Sequence, residues 1–376
     1  MQKRQVVVVT GASAGLGRAI VRRFAEDGAS IGLIARGRER LEQARVEVEA
    51  GGGRALVLPL DVADAADVMS AARRVEIELG PIDVWVNCAM LTVYSPIHEM
   101  TAAEFQRVTD VTYMGYVHGT LAALEYMRPR DRGVIIQVGS ALAHRSIPLQ
   151  SAYCAAKHAI LGFHEALLSE LIHDGSHVRT TMVQMPALNT PQFDWVKNKL
   201  AHRTQPVPPI FQPEVGAEAV VWAAGHDVGR ELLVGWPTLK AVVGEKVVAG
   251  WLDRYLATTA WEGQQTDEPA ITDRPYNLWD SVPGDWAAHG RFDDRAHSFS
   301  TELWLRMNRN VLAVVGAGVA GLALGALTGR NGRRATMVES EMGRTVAREV
   351  TSAAHPRGPA SGALAAASVS TPPTGV

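Results

Sequence analysis

The sequence predicts an α/β fold with a doubly wound parallel sheet, and three observations carry that expectation. The first is a valine run, Gln5–Val9, too apolar for a half-exposed strand and suited to the centre of a sheet covered on both faces. The second is the alternation of strand-length and helix-length segments that follows, the pattern of parallel strands joined by crossover helices. The third is size. With 376 residues and 47% hydrophobic content, the chain can bury one large core and leave material for an extension.

Directly after the valine strand comes Thr10-Gly-Ala-Ser-Ala-Gly-Leu-Gly17, then Arg18–Asp27 with helical apolar spacing at Ile20, Val21 and Phe24. Glycines at 11, 15 and 17 let the backbone turn sharply and approach a pyrophosphate, which the unpaired N–H groups of the following helix attract. The loop therefore reads as a dinucleotide site, with Ser13 and Leu16 among its contacts. Ser30–Ala35 is the second strand, and it ends in Arg36 where NAD sites usually carry an acid. An arginine there meets a 2′-phosphate, so NADP is favoured over NAD; Arg38 and Arg40 either add to that positive pocket or are solvated charges on the next helix.

Glu39–Ala50 reads as a surface helix stopped by Gly51-Gly-Gly53, and Ala55–Leu60 as the third strand. Asp61 and Val62 follow at its end, with helix capping as a second role for Asp61. Val68–Leu79 is amphipathic, Ile82–Val86 is a core strand, and Ala102–Tyr126 reads as one helix in which Gly115 and Gly119 permit close packing. Val134–Ser140 is a β-branched strand ending in a hydroxyl, at the edge where open parallel sheets bind ligands. A helix follows from Ala155 to Leu171, then a strand Val178–Met185, a helix Glu214–Ala224 and a last strand Glu231–Val234. Gln192–Pro213, with Phe193, Trp195 and Phe211 among charges and prolines, has the composition of a lid; its aromatics suit an apolar substrate or anchor the loop.

The charge balance excludes some functions. A net charge of −2 provides no basic field for nucleic acid. Two cysteines, Cys88 and Cys154, without a secretory signal at the start, fit a reducing cytoplasm and no disulfide framework. His144, His158 and His164 are too scattered for a metal set and read as ordinary hydrogen-bonded histidines; no metal is expected.

Tyr153 and Lys157 lie one turn apart on the same helical face, so an ammonium can act on a phenol and make it a better acid. Ser140, Tyr153 and Lys157 in this order, after a T-G-x-x-x-G-x-G loop, resemble the short-chain dehydrogenase/reductase family over roughly the first ~250 residues. The resemblance implies a Rossmann-like domain over residues 1–256 and an NADP(H)-dependent oxidoreductase acting on a carbonyl or secondary alcohol. Tyr153 is then the general acid/base, Ser140 the hydrogen-bond partner of the reacting oxygen, and Lys157 both tunes Tyr153 and binds the nicotinamide ribose. It further implies cofactor contacts from Asp61, Val62, Asn87, Ala89, Pro186 and Thr190, and a homodimer or homotetramer built through long helices.

This sequence departs from the family at several positions. Cys88 and Met90 replace residues of an Asn-Asn-Ala-Gly motif, Ala187 stands where glycine is usual in a loop one residue short, and Thr112 replaces an asparagine that supports a proton relay. Those departures keep a second reading in view, a non-catalytic NADP-binding regulatory or scaffold protein.

Beyond the domain, residues 257–305 read as an irregular extension and 335–376 as a disordered tail. Between them, Val311–Leu327 is apolar and flanked by arginines. It reads either as an apolar helix over 306–334, membrane-associated or packed on a partner, or through Gly316-Ala-Gly-Val-Ala-Gly321 as a second nucleotide motif. The helix is favoured, because too little chain follows to complete a sheet.

Overall fold

The valine run forms β1 (Val6–Thr10), and its side chains divide between two cores. Val7 and Val9 face Ile20, Phe24 and Val220, whereas Val6 and Val8 face Val68, Trp85 and Ala122. A strand alternating between two apolar layers has to be apolar at every position. The computed structural model describes residues 4–309. Residues up to Met307 form one compact unit.

The central sheet adds β2 (Ser30–Ala35), β3 (Arg54–Pro59), β4 (Val84–Asn87), β5 (Gly133–Ser140), β6 (Val178–Met185) and β7 (Glu231–Leu233). Its order is β7-β6-β5-β4-β1-β2-β3, with every pair parallel. The chain winds outward from β1 to β3, then crosses back to β4 and winds the other way. The crevice at that reversal is where open parallel sheets bind ligands.

Helices α1 (Gly15–Glu26) and α2 (Arg38–Ala50) follow the first two strands. Helix α3 (Ala65–Glu78) is capped by Asp64, whose carboxylate accepts from Ala66 N and Asp67 N. Asp61 is therefore not the helix cap; it accepts from Ala63 N at 3.0 Å and pairs with Arg107.

The single helix expected over Ala102–Tyr126 is broken into α4 (Ala102–Thr109), a π turn at Asp110–Met114, and α5 (Gly115–Met127). Thr112 sits in the turn, where its hydroxyl accepts from Leu91 N and donates to Leu91 O, both at 2.9 Å. The chain continues through α6 (Ser151–His173), the short α7 (Gln192–Trp195) and α8 (Pro213–Gly225). Where the sequence suggests that the family domain ends, α9 (Gly235–Gly263) runs on through a kink at Val248.

The segment expected to be irregular is tied down at several points. Gln265–Pro269 pairs with His202–Thr204, Ala296–His297 pairs with Ile210–Phe211, and α10 (Thr301–Met307) follows. Val311–Leu327, the Gly316–Gly321 motif and the tail at 335–376 lie outside the described residues. Among the described residues, no helix is long and apolar enough to cross a membrane.

Asn87, at the end of β4, is fully buried and joins three elements. Its amide donates to Tyr116 O, Thr120 Oγ1 and Gln137 Oε1 and accepts from Trp85 Nε1 at 2.8 Å. Helix α5 comes this close because of Gly119, where a Cβ would lie 2.1 Å from Asn87 Oδ1. Asn87→Ala strands buried donors and acceptors on both β4 and β5. A loss of about 2–4 kcal/mol is expected from the denaturant midpoint; an unchanged midpoint would show that the hub contributes nothing.

Candidate active site

Each strand of the parallel sheet ends at the same edge, so side chains distant in sequence meet there. A cleft of about 420 Å³ opens at that edge. Its walls include Gly11, Ser13, Gly15, Leu16 and Gly17 from the first loop, Arg36 after β2, Asp61 and Val62 after β3, and Ala89 after β4. Ser140, Tyr153, Lys157, Pro186 and Thr190 complete it. Asn87 does not line the cleft, its side chain being committed to the hub beneath, and neither does Arg38, whereas Arg40 does.

The first loop is drawn tightly to β4. Thr10 Oγ1 accepts from Cys88 N at 2.9 Å and Ala89 N at 3.1 Å, and Gly11 passes so close that a Cβ there would lie 2.9 Å from Ala89 Cα. Met90 needs no left-handed backbone in this path, which explains how the position tolerates a side chain in place of the usual glycine.

Lys157 is 1% exposed, with its ammonium donating to Val138 O at 2.7 Å and Tyr116 Oη at 3.1 Å. It stands 5.5 Å from the centre of the Tyr153 ring. Burial pulls its pKa down to about 7, so its charge responds to pH near neutrality. The Tyr153 phenol is pushed up by burial, against the opposing hydrogen bond with Ser140, which keeps it protonated at neutral pH. Burial also raises Cys88 to about 12 and raises Cys154; both are free thiols without thiolate character.

Sequence reading missed Tyr116 and the network behind Ser140. Tyr116 is buried on α5, donates to Val138 O at 3.0 Å and takes the Lys157 ammonium. Ser140 N donates to Gln184 Oε1 at 2.7 Å, and Gln184 Nε2 donates to Glu231 Oε2 at 2.9 Å. His144 Nε2 lies 2.8 Å from the same carboxylate. Burial opposes the charge on Glu231, but its hydrogen bonds with His144 and Gln184 hold the group down to about 2. A fixed carboxylate on β7 thus secures the β5 end that presents Ser140. His158 and His164 are hydrogen-bonded to backbone carbonyls at Cys154 and Arg230.

The residues at the other end of the cleft fit a dinucleotide. Arg40 is 7% exposed, yet its guanidinium makes no hydrogen bond or ion pair among the described residues and lies 5.0 Å from the centre of the Trp195 ring. Burial lowers the pKa values of both Arg36 and Arg40; Asp61 opposes the shift on Arg36, which Arg107 and Arg40 add to, and Asp285 and Glu39 oppose the shift on Arg40. Two desolvated cations lining one cleft favour an anion bound there. Arg36 already donates to Trp279 O at 2.7 Å and Asn277 O at 2.5 Å, so its remaining N–H groups are the ones open to such an anion. The lid aromatics act as anchors at least as much as lining: Phe193 packs on Tyr94 and Phe292, and Trp195 on Trp286.

Comparison with known proteins bears on the family and the fold. A family model described as short chain dehydrogenase matches residues 5–200. The uncharacterized oxidoreductase YxnA of Bacillus subtilis is 29% identical over 327 residues, or 85% of this chain and 89% of that one. The 2-(R)-hydroxypropyl-CoM dehydrogenase of Xanthobacter autotrophicus is 32% identical over 232 residues, 59% of this chain and 92% of that one. A solved short-chain dehydrogenase from Streptomyces avermitilis has a TM-score of 0.58 at 25% identity, covering 70% of this chain and 99% of its own.

Gly17 tests the loop. A Cβ there would fall 2.1 Å from Gly11 O, so Gly17→Ala forces the loop backbone to move. Thermal unfolding should show a loss of about 1–3 kcal/mol, as for overpacked sites. Dinucleotide binding, read by fluorescence titration, should weaken in parallel; unaltered binding would mean that the loop is not the site.

Proposed function

The chain belongs to the short-chain dehydrogenase family, and on that premise we propose that it is an NADP(H)-dependent oxidoreductase interconverting a carbonyl and a secondary alcohol. Family membership makes it an oxidoreductase that uses a nicotinamide cofactor on small molecules. The observation that carries the finer reading is the meeting of Ser140, Tyr153 and Lys157 at one end of a cleft whose other end holds the glycine loop, Arg36 and Arg40.

The residues that would hold the cofactor are the loop at Gly11–Gly17, Arg36 and Arg40 for the 2′-phosphate, Asp61 and Val62 for the adenine, and Thr190 with Lys157 at the nicotinamide end. The nicotinamide supplies or accepts the hydride. Ser140 hydrogen-bonds the substrate oxygen and stabilises charge as it develops there. Tyr153 delivers a proton to that oxygen in reduction and removes one from the alcohol in oxidation. Lys157 supports Tyr153 electrostatically, held in place by Val138 O and Tyr116 rather than through Thr112, whose hydroxyl is committed to Leu91. Leu142, Ile147, Val207, Leu256 and Ala260 give the cleft apolar walls, which supports an apolar ketone as substrate. Exposed Leu121 on α5 and Ile172 on α6 support assembly of copies through those helices, as a dimer or tetramer.

Thr112, Met90 and the shortened loop after Pro186 favour the second reading, a non-catalytic NADP-binding protein, and the Tyr153→Phe variant separates the two. With NADPH and a panel of apolar ketones and aldehydes, the variant should lose about 10²–10⁴-fold in turnover while still binding cofactor. Turnover equal to that of the unaltered protein would remove Tyr153 from its role.

The pH dependence has a definite sign. Lys157 carries its charge below about 7 and loses it above. Carbonyl reduction should therefore be fastest on the acid side and decline as the pH rises through about 7, measured as kcat against pH. A flat profile through neutrality would detach Lys157 from the proton step.

A further inference from the structure

The segment from Tyr276 to Phe292, beyond the residues that the family model matches, lies along the adenosine half of the cleft. It is held there firmly. Leu278 and Ala288 are fully buried, each in one of the two main cores, and Phe292 is buried against Phe193. Asn277 N donates to Trp195 O at 2.9 Å, Arg107 Nε donates to Leu278 O at 3.0 Å, and Phe292 N donates to Asn189 Oδ1 at 3.1 Å.

Three of its carbonyls take donors from the dinucleotide site itself. Asn277 O and Trp279 O accept from Arg36, and Ala287 O accepts from Gly15 N at 2.9 Å. Ala287 adopts a left-handed backbone (φ 45°) in this arrangement. One polar atom of the segment remains unanswered. Asn277 lines the cleft, and its Oδ1 is buried with no hydrogen-bond partner. A buried acceptor left alone costs about 1–3 kcal/mol, which a donor on a bound ligand would recover.

We propose that Tyr276–Phe292 is a strap that forms part of the cofactor site, with Asn277 hydrogen-bonding the adenosine end of the dinucleotide. Resting on the dinucleotide reading above, this adds a wall that the family domain does not supply. The carbonyls of Asn277 and Trp279 position Arg36 for the cofactor. The Ala287–Gly15 hydrogen bond holds the strap across the glycine loop.

Two experiments on the full-length protein test this. In the first, Asn277→Ala is titrated with NADPH, 2′,5′-ADP and ADP by calorimetry. Affinity for all three should fall by about three- to tenfold, the worth of one hydrogen bond. Binding of reduced nicotinamide mononucleotide, which lacks the adenosine half, should not change. Unchanged affinity for the adenosine ligands, or an equal loss for the mononucleotide, overturns the assignment. If none of these ligands binds the unaltered protein, the dinucleotide reading falls and the strap with it; if ADP binds as well as 2′,5′-ADP and both respond to Asn277→Ala, the strap stands and the NADP preference fails.

The second experiment is hydrogen exchange in the unaltered protein. Bound NADPH should slow exchange across residues 277–288, and no change there refutes the strap.

Discussion

The end of β1 has to come close to β4 without clashing with it, and the rest of the site depends on that approach. Thr10 uses one hydroxyl to receive the N–H groups of both Cys88 and Ala89, and Gly11 then passes Ala89 at a distance that no side chain allows. The chain reverses its winding direction between these strands, so the crevice they border is where backbone donors, α1 and the ends of β4 and β5 converge. Ser140, Tyr153 and Lys157 are fixed relative to that crevice by β5 and by the amino-terminal turn of α6. A shift at Thr10 or Gly11 would therefore move the glycine loop against Ser140, Tyr153 and Lys157.

Features carried by local pattern were legible in the sequence. The valines of β1, the glycine loop, and the Tyr153–Lys157 spacing each express a backbone period or a steric limit within a few residues. Asn87 was not legible in the same way. Its position in a family-like motif suggests a cofactor contact, but its partners Tyr116, Thr120 and Gln137 lie 29, 33 and 50 residues away. The strap was harder still, because Arg36 finds its carbonyls 241 and 243 residues along the chain. Backbone carbonyls carry no residue signature, so a segment that works through them looks irregular. The break at Thr112 followed a third route: a substitution visible as a departure from the family holds a π turn to Leu91 through both of its hydrogen-bonding roles.

Lys157 shows how burial acts on the site as a whole. Its neighbours Val138 O and Tyr116 Oη are uncharged, so they orient the ammonium without offsetting the cost of burying it, and its pKa falls to about 7. The Tyr153 phenol moves upward for the same reason. Burial thus disfavours both ionised forms at once, the ammonium and the phenolate, and brings the lysine into the range where its charge changes near neutral pH. Under the proposed reduction chemistry that suits a proton donor, since a protonated Tyr153 is the form required at the start of the step.

Packing joins the two arginines of the cleft to α7 and the strap. Arg40 rests on Trp195 of α7, Trp195 stacks edge-on against Trp286 of the strap, and the strap carbonyls hold Arg36. A cation over an indole recovers about 0.5–2 kcal/mol, less than desolvation of an unpaired guanidinium costs. Asp285 and Glu39 oppose part of that cost, yet burial still lowers the Arg40 pKa, and an anion on the cofactor would relieve what remains. Under the proposed NADP reading, a 2′-phosphate on Arg40 would bear on Trp195 and through it on the strap, so binding energy at a group remote from the reacting carbon is available to hold that wall in place. A dinucleotide without that phosphate would leave Arg40 unpaired and α7 less firmly set, a penalty that falls on the arrangement of the site as well as on binding.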